Sequence, residues 1–199
     1  SEFLRFTEKA FEEIREKQVR ELVIDISANE GGDDEMWIEG VLPYFANRPY
    51  RWASRFSKRV MRSDPLKGEV AGQIISGPLD RWIAPEPDRK NRFGGKVYIL
   101  IGPRTYSSAV LFANVVHTFQ FGTIVGEGGA ARINQSGGVQ SIRLPQSGLM
   151  MWWPRLILTN PAGGGKGIYL AGGSVPGHLK AVLLKARSNS FDLIGPKSR

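Results

Sequence analysis

Apolar residues recur along this chain in two rhythms. From Leu4 to Lys17 they come at helical spacing, with Leu4, Phe11 and Ile14 on one face and Glu and Lys elsewhere, which predicts an amphipathic helix. Leu22 to Ile26 (LVIDI) and Val97 to Ile101 (VYILI) are instead short unbroken apolar runs, the pattern of strands buried on both faces. Each run ends in a turn and is followed by helical spacing. After the first, Asn29, Gly31, Gly32, Asp33 and Asp34 predict a turn ending in an N-cap. Met36, Trp37, Val41, Leu42 and Phe45 then read as a helix that Pro43 stops or kinks near Leu42. After the second run, Gly102-Pro103 closes the strand and Thr105 and Ser107 offer hydroxyls where a helix begins. Ala109 to Val116 is apolar almost all round, so that helix is expected to be buried.

Elsewhere the pattern is weaker. Tyr50 to Val60 predicts a strand or hairpin arm, and Ser63 to Arg92, with Pro65, Pro78, Pro85 and Pro87, predicts loop with short helical pieces. Gly122 to Val125 reads as a strand that runs into a Gly-rich loop, GEGGAARINQSGG. Val139 to Leu144 alternates as a half-buried strand does, and Leu149 to Thr159 predicts a strand pair broken at Pro154. Leu179 to Ala186 predicts a last helix. The chain is thus read as one domain over residues 1–186 with a frayed tail over 187–199, cut from a longer protein. Two successive strand-turn-helix units imply an α/β fold with a largely parallel sheet. Ligands on such sheets sit at the carboxyl ends of the strands, which places the Gly31-Gly32 and Ser107 turns on one edge.

Composition narrows the chemistry. The 199 residues include no cysteine, which excludes disulfides, thiol catalysis and thiolate metal sites. No cofactor is expected, no apolar run approaches a membrane span, and no secretory signal is visible. The net charge is +8, and its densest set is Arg48, Arg51, Arg55, Lys58, Arg59 and Arg62 with Trp52 and Phe56 interleaved. Such a segment could hold single-stranded nucleic acid, but no nucleic-acid module accompanies it, and a solvated sheet face is the preferred reading.

A serine on a sharp strand-to-helix turn, at the positive end of a buried helix, is where an acyl-transfer nucleophile belongs; the plainer alternative is that Ser107 and Ser108 only cap the helix. Acyl transfer also needs oxyanion donors and a base. Gly31 and Gly32 can offer open backbone amides, and the amide of Ser108, the residue after the nucleophile, can offer another.

The ordered motifs LVIDISANEGG, VYILIGPRTYSSAVLFANVV, FGTIVGEGG and IRLPQSGL resemble the carboxyl-terminal processing (tail-specific) serine peptidases, over roughly Leu4 to Leu158. Tricorn protease and interphotoreceptor retinoid-binding protein are distant relatives. The resemblance implies a ClpP/crotonase-like superhelix of β-β-α units and a serine-type peptidase acting on peptides or proteins. It also implies a cell-envelope, periplasmic or secreted location. By it, Ser107 matches the catalytic serine, twenty residues before Glu127 of the Gly-Glu motif, and Gly31-Gly32 matches the Gly-Gly turn of the oxyanion hole.

The match departs from the family at the base. Members with a Ser-Lys dyad carry lysine in the loop after Gly-Glu, where this chain has Arg132. Arginine stays protonated and cannot act as a base, though its forked donors suit a substrate carboxylate. Members closer to this sequence take a histidine from a region before the core, so the base is expected outside this chain and the isolated chain is expected to be inactive. Within the chain, His117 is roughly 15 Å along the helix from Ser107, and His178 and Lys166 lie in the tail; all three are poor candidates. Two rival readings follow: a peptide-binding scaffold that lost its base, and a crotonase-like enzyme acting on acyl-coenzyme A.

Overall fold

A computed structural model describes residues 1–126, 130–132, 134–164 and 169–189, with the backbone alone for 130–132, 169–171 and 186–189. Its centre is the predicted parallel sheet, formed by β1 (Glu21–Asp25), β4 (Lys96–Leu100) and β5 (Thr123–Val125) in the order β1-β4-β5. Glu21 sits opposite Lys96 and Asp25 opposite Leu100, so the two strands end level with one another.

The first helix, α1 (Glu2–Glu16), starts where the Ser1 hydroxyl accepts the amide of Leu4. It buries Phe11, which stacks on Tyr44 at 3.9 Å between ring centroids, while the Arg89 guanidinium lies 4.4 Å from the Tyr44 centroid. The second, α2 (Asp34–Gly40), is capped by Asp33, whose carboxylate accepts the amide of Glu35. It ends before the short 3-10 turn Leu42–Tyr44, as Pro43 requires. The third, α3 (Ser108–Thr118), is buried from Ser108 through Val116 and packs among β4 and β5 side chains such as Ile99 and Ile124. That burial agrees with its all-apolar sequence.

A second sheet is antiparallel, in the order β3-β2-β8-β7. It holds β2 (Arg55–Arg59), β3 (Ile74–Pro78), β7 (Gln135–Arg143) and β8 (Met150–Thr159). Three expectations are corrected here. Residues 74–78, expected as loop, form β3, an edge strand whose proline comes at its end, where no ladder bond is lost. Met150–Thr159 is one continuous strand and not a pair broken at Pro154. Only residues 156–159 pair with β2, so Pro154 faces an open edge on that side, where its missing N–H costs nothing. The Gly-rich segment after β5 is not all loop: β6 (Ala130–Arg132) pairs with β9 (Tyr169–Ala171), and β7 begins at a buried Gln135. The last helix, α4 (Gly177–Asn189), runs past the expected Ala186 boundary, and residues 190–199 of the expected tail lie outside the described residues.

Candidate active site

The level ends of β1 and β4 bring the two turns together. One more parallel rung, from the Ile26 amide to the Leu100 carbonyl at 2.9 Å, carries the pairing past β1. Beyond it the chains are too close for a side chain: a Cβ at Gly102 would come 2.7 Å from the Ser27 carbonyl oxygen. The buried Thr105 hydroxyl then ties the turns, donating to the Ile26 carbonyl at 2.8 Å and accepting the Gly102 amide at 2.9 Å. The Tyr106 amide donates to the Asn29 carbonyl at 3.0 Å. An exposed Arg104–Glu30 ion pair, 2.7 Å, spans the rim and contributes at most about 1 kcal/mol at such exposure.

On this platform Ser107 adopts φ +53 and ψ −125, a left-handed conformation costly for a residue with a Cβ. Its hydroxyl does not cap α3 and has no hydrogen-bond partner among the described residues. The capping alternative therefore fails for Ser107, whose carbonyl alone serves the helix by accepting the Val110 amide at 2.9 Å. Gly31, at φ +106, lies against this turn so closely that a Cβ there would sit 2.6 Å from Ser107 Cβ and 3.0 Å from the Ser108 nitrogen. The Gly31 amide is committed to the Asn29 side chain at 2.8 Å. The amides of Gly32 and Ser108 have no acceptor among the described residues.

Ser108 points the other way. Its buried hydroxyl accepts the Trp37 indole N–H at 2.9 Å and donates to Asp34 Oδ1 at 2.5 Å, which fastens the start of α2 to the start of α3. Burial pushes the Asp34 carboxyl above its ordinary range, against the opposing hydrogen bonds from Ser108 and Trp37. Beside this cluster an apolar cleft of about 650 Å³ runs along the open edge of β1. Gly31, Gly32 and Ser108 lie in its wall with Leu22, Ile24, Trp37 and Phe112.

The structure thus brings together Ser107, Ser108, Gly31 and Gly32. The other candidates are elsewhere or undescribed. His178 is 2.9 Å from Glu21, at the amino end of β1, the opposite edge of the sheet from Ser107. His117 is exposed in the last turn of α3. The Arg132 backbone pairs with Tyr169, its side chain is not described, and Glu127 and Lys166 lie outside the described residues. Among the described residues no group of acidic or histidine side chains could hold a metal ion. The ties made by Asn29, Thr105, Trp37 and Asp34 escaped the sequence reading. Thr105 and Asn29 were legible as turn formers, but their partners were not.

Residues 4–165 match peptidase family S41. Among solved structures, the chain is similar to mature CPAF complexed with lactacystin, at TM-score 0.63 and 15% identity, covering 95% of this chain and 45% of that one. It is also similar to a photosystem II D1 C-terminal processing protease, at TM-score 0.57 and 17% identity, covering 87% and 39%. A third is a peptidase described as putative from Parabacteroides merdae, at TM-score 0.53 and 17% identity, covering 92% and 54%. The chain therefore spans about half the length, or less, of these structures. No curated protein sequence matches it.

Proposed function

Because the chain belongs to peptidase family S41, we propose that it is the serine-bearing core of a peptidase in which Ser107 is the nucleophile. The observation that carries the reading is the backbone of Ser107. A strained left-handed residue whose hydroxyl caps nothing is what a nucleophile on a sharp strand-to-helix turn requires. Ser107 Oγ attacks the scissile carbonyl carbon while its proton passes to a base, and the carbonyl oxygen becomes an oxyanion. The amides of Ser108 and Gly32 receive that charge, each worth about 3 kcal/mol of barrier where such donors have been removed. Because the Gly31 amide is already bonded to Asn29, its part is to let the two turns approach. Collapse of the intermediate breaks the C–N bond, the base returns the proton to the leaving amine, and water then hydrolyses the acyl-serine. The base is a histidine outside this chain.

His178 is held by Glu21, and arginine stands at the lysine position. These two facts favour, as a second reading, a relative that keeps the cleft and binds peptides without cutting them. A fluorophosphonate probe applied to the full-length protein separates the two. An adduct on Ser107 that disappears in Ser107→Ala supports the peptidase. Labelling that persists unchanged in Ser107→Ala overturns it, and no labelling at all favours the binding protein.

A further inference from the structure

Exposed apolar surface gathers on one hairpin within a stretch of the chain that carries no acidic residue, and two of that stretch's positive charges, Arg143 and Arg155, lie on the hairpin itself. From Gly128 to Phe191 there is no Asp or Glu, while Arg132, Arg143, Arg155, Lys166, Lys180, Lys185 and Arg187 supply seven positive charges, nearly the whole net charge of +8. Within this stretch β7 and β8 form a hairpin closed by a tight tip, with the Leu144 amide on the Leu149 carbonyl at 2.8 Å. Only residues 156–159 of β8 also pair with β2, so the rest of the hairpin stands as a two-stranded arm. At about 3.3 Å per residue the arm reaches roughly 20 Å from that junction.

Exposed apolar side chains stand on both faces of the arm near its end, with Arg143 opposite Met150 and Ser141 opposite Trp152. Ile142 lies opposite Met151 on one face, with Leu144 and Leu149 beyond them. Met150, Trp152 and Val139 lie on the other. Trp152 is 65% exposed and Leu149 66%. Arg143 and Arg155, both exposed, flank this apolar end. A two-stranded arm with exposed apolar side chains on both faces is rare on a soluble surface, where exposed apolar patches mark binding sites.

We propose that the end of the β7–β8 hairpin docks shallowly into an anionic lipid surface. Leu149, Met150, Met151 and Trp152 would enter the headgroup–acyl boundary, and the arginines would meet lipid phosphates. Three observations select this occupant. A second copy of the chain would bring two wholly cationic segments together, which like-charge repulsion opposes. A flat protein partner would cover one face of the arm and leave the other wet, whereas a bilayer covers both. Aliphatic side chains with a tryptophan and arginines are the composition of interfacial anchors, and nucleic acid would use the charge but not the aliphatic tip. No described helix is long and apolar enough to span a membrane. The inference does not depend on Ser107 being catalytic.

The test is sedimentation of the full-length protein with vesicles, either phosphatidylcholine alone or phosphatidylcholine with phosphatidylglycerol. We expect binding to the mixed vesicles that weakens with added salt, falls at least about tenfold in Trp152→Glu, and becomes less salt-sensitive in Arg143→Gln/Arg155→Gln. Trp152 is exposed, so its variant should keep the wild-type melting curve; Leu149→Ser is the second variant if it does not. Absence of vesicle binding overturns the proposal, as does binding indifferent to Trp152→Glu and Leu149→Ser. A concentration-dependent dimer that Trp152→Glu dissolves also overturns it, in favour of self-association.

Discussion

Gly31→Ala isolates the contact on which the site rests. The added Cβ would sit 2.6 Å from Ser107 Cβ, with the Ser108 nitrogen and the Tyr106 carbonyl oxygen each at 3.0 Å. Ordinary carbon–carbon contact begins near 3.5 Å, so the serine turn must retreat by about 1 Å. Two of the three atoms are backbone, so no side-chain rotation relieves the clash. A displacement of that size at a reacting group costs about 100-fold in rate. Separately, φ +106 is poorly accessible to alanine, which adds about 1–3 kcal/mol of strain. For a domain of this length each kcal/mol moves the melting temperature by about 2–4 °C, so a fall of about 2–12 °C is expected from the strain. The assay is the rate of fluorophosphonate labelling at Ser107 in the full-length protein, with the melt followed by circular dichroism. Gly32→Ala is the control. It meets nothing within 4 Å and keeps its amide, so it pays backbone strain without the clash. Its labelling should fall far less than that of Gly31→Ala. If Gly31→Ala labels within about threefold of wild type, close packing of the glycine turn does not position Ser107, and the reasoning fails.

Two more outcomes follow from the same cluster. Ser107→Gly removes the strain of φ +53, about 1–3 kcal/mol, against about 0.5–1 kcal/mol of added chain entropy, so the melting temperature should rise by a few degrees while labelling vanishes; a lowered melt would show the turn is unstrained. Burial raises the Asp34 carboxyl above its usual 3.8, so the native state holds that proton more tightly than the unfolded chain. The buried charge then costs nothing below the unfolded value, and the penalty grows as pH rises from there through the folded value. Asp34→Asn should therefore be more stable than wild type at neutral pH, with the advantage vanishing below about pH 4. Denaturant midpoints across that range check it, and an advantage that persists at low pH would contradict the burial argument.

The unequal legibility of the elements has a physical cause. The runs LVIDI and VYILI, the capped turn at Asp33 and the all-apolar helix after Ser107 are local patterns, and each became the expected element within a residue or two. Strand β3 was missed because Ile74–Pro78 carries a glycine and a proline, and only its pairing with β2 makes it a strand. Pro154 read as a break because proline's cost depends on whether a neighbour lies on its N–H side, which the sequence does not state.

The site divides in the same way. Sequence determined which residues could do chemistry: a serine at a strand-to-helix turn and a glycine pair at another. The tertiary structure decided how they act. It aligned the ends of β1 and β4, so that residues about seventy-five positions apart meet. It placed Gly31 against Ser107 and bound its amide to Asn29. It turned Ser108 inward to Trp37 and Asp34 while leaving the Ser107 hydroxyl uncapped. Turn chemistry and periodicity are set by neighbours in the chain. Which amide remains open, and which hydroxyl is spent on packing, is set by partners that only the folded sheet brings within reach.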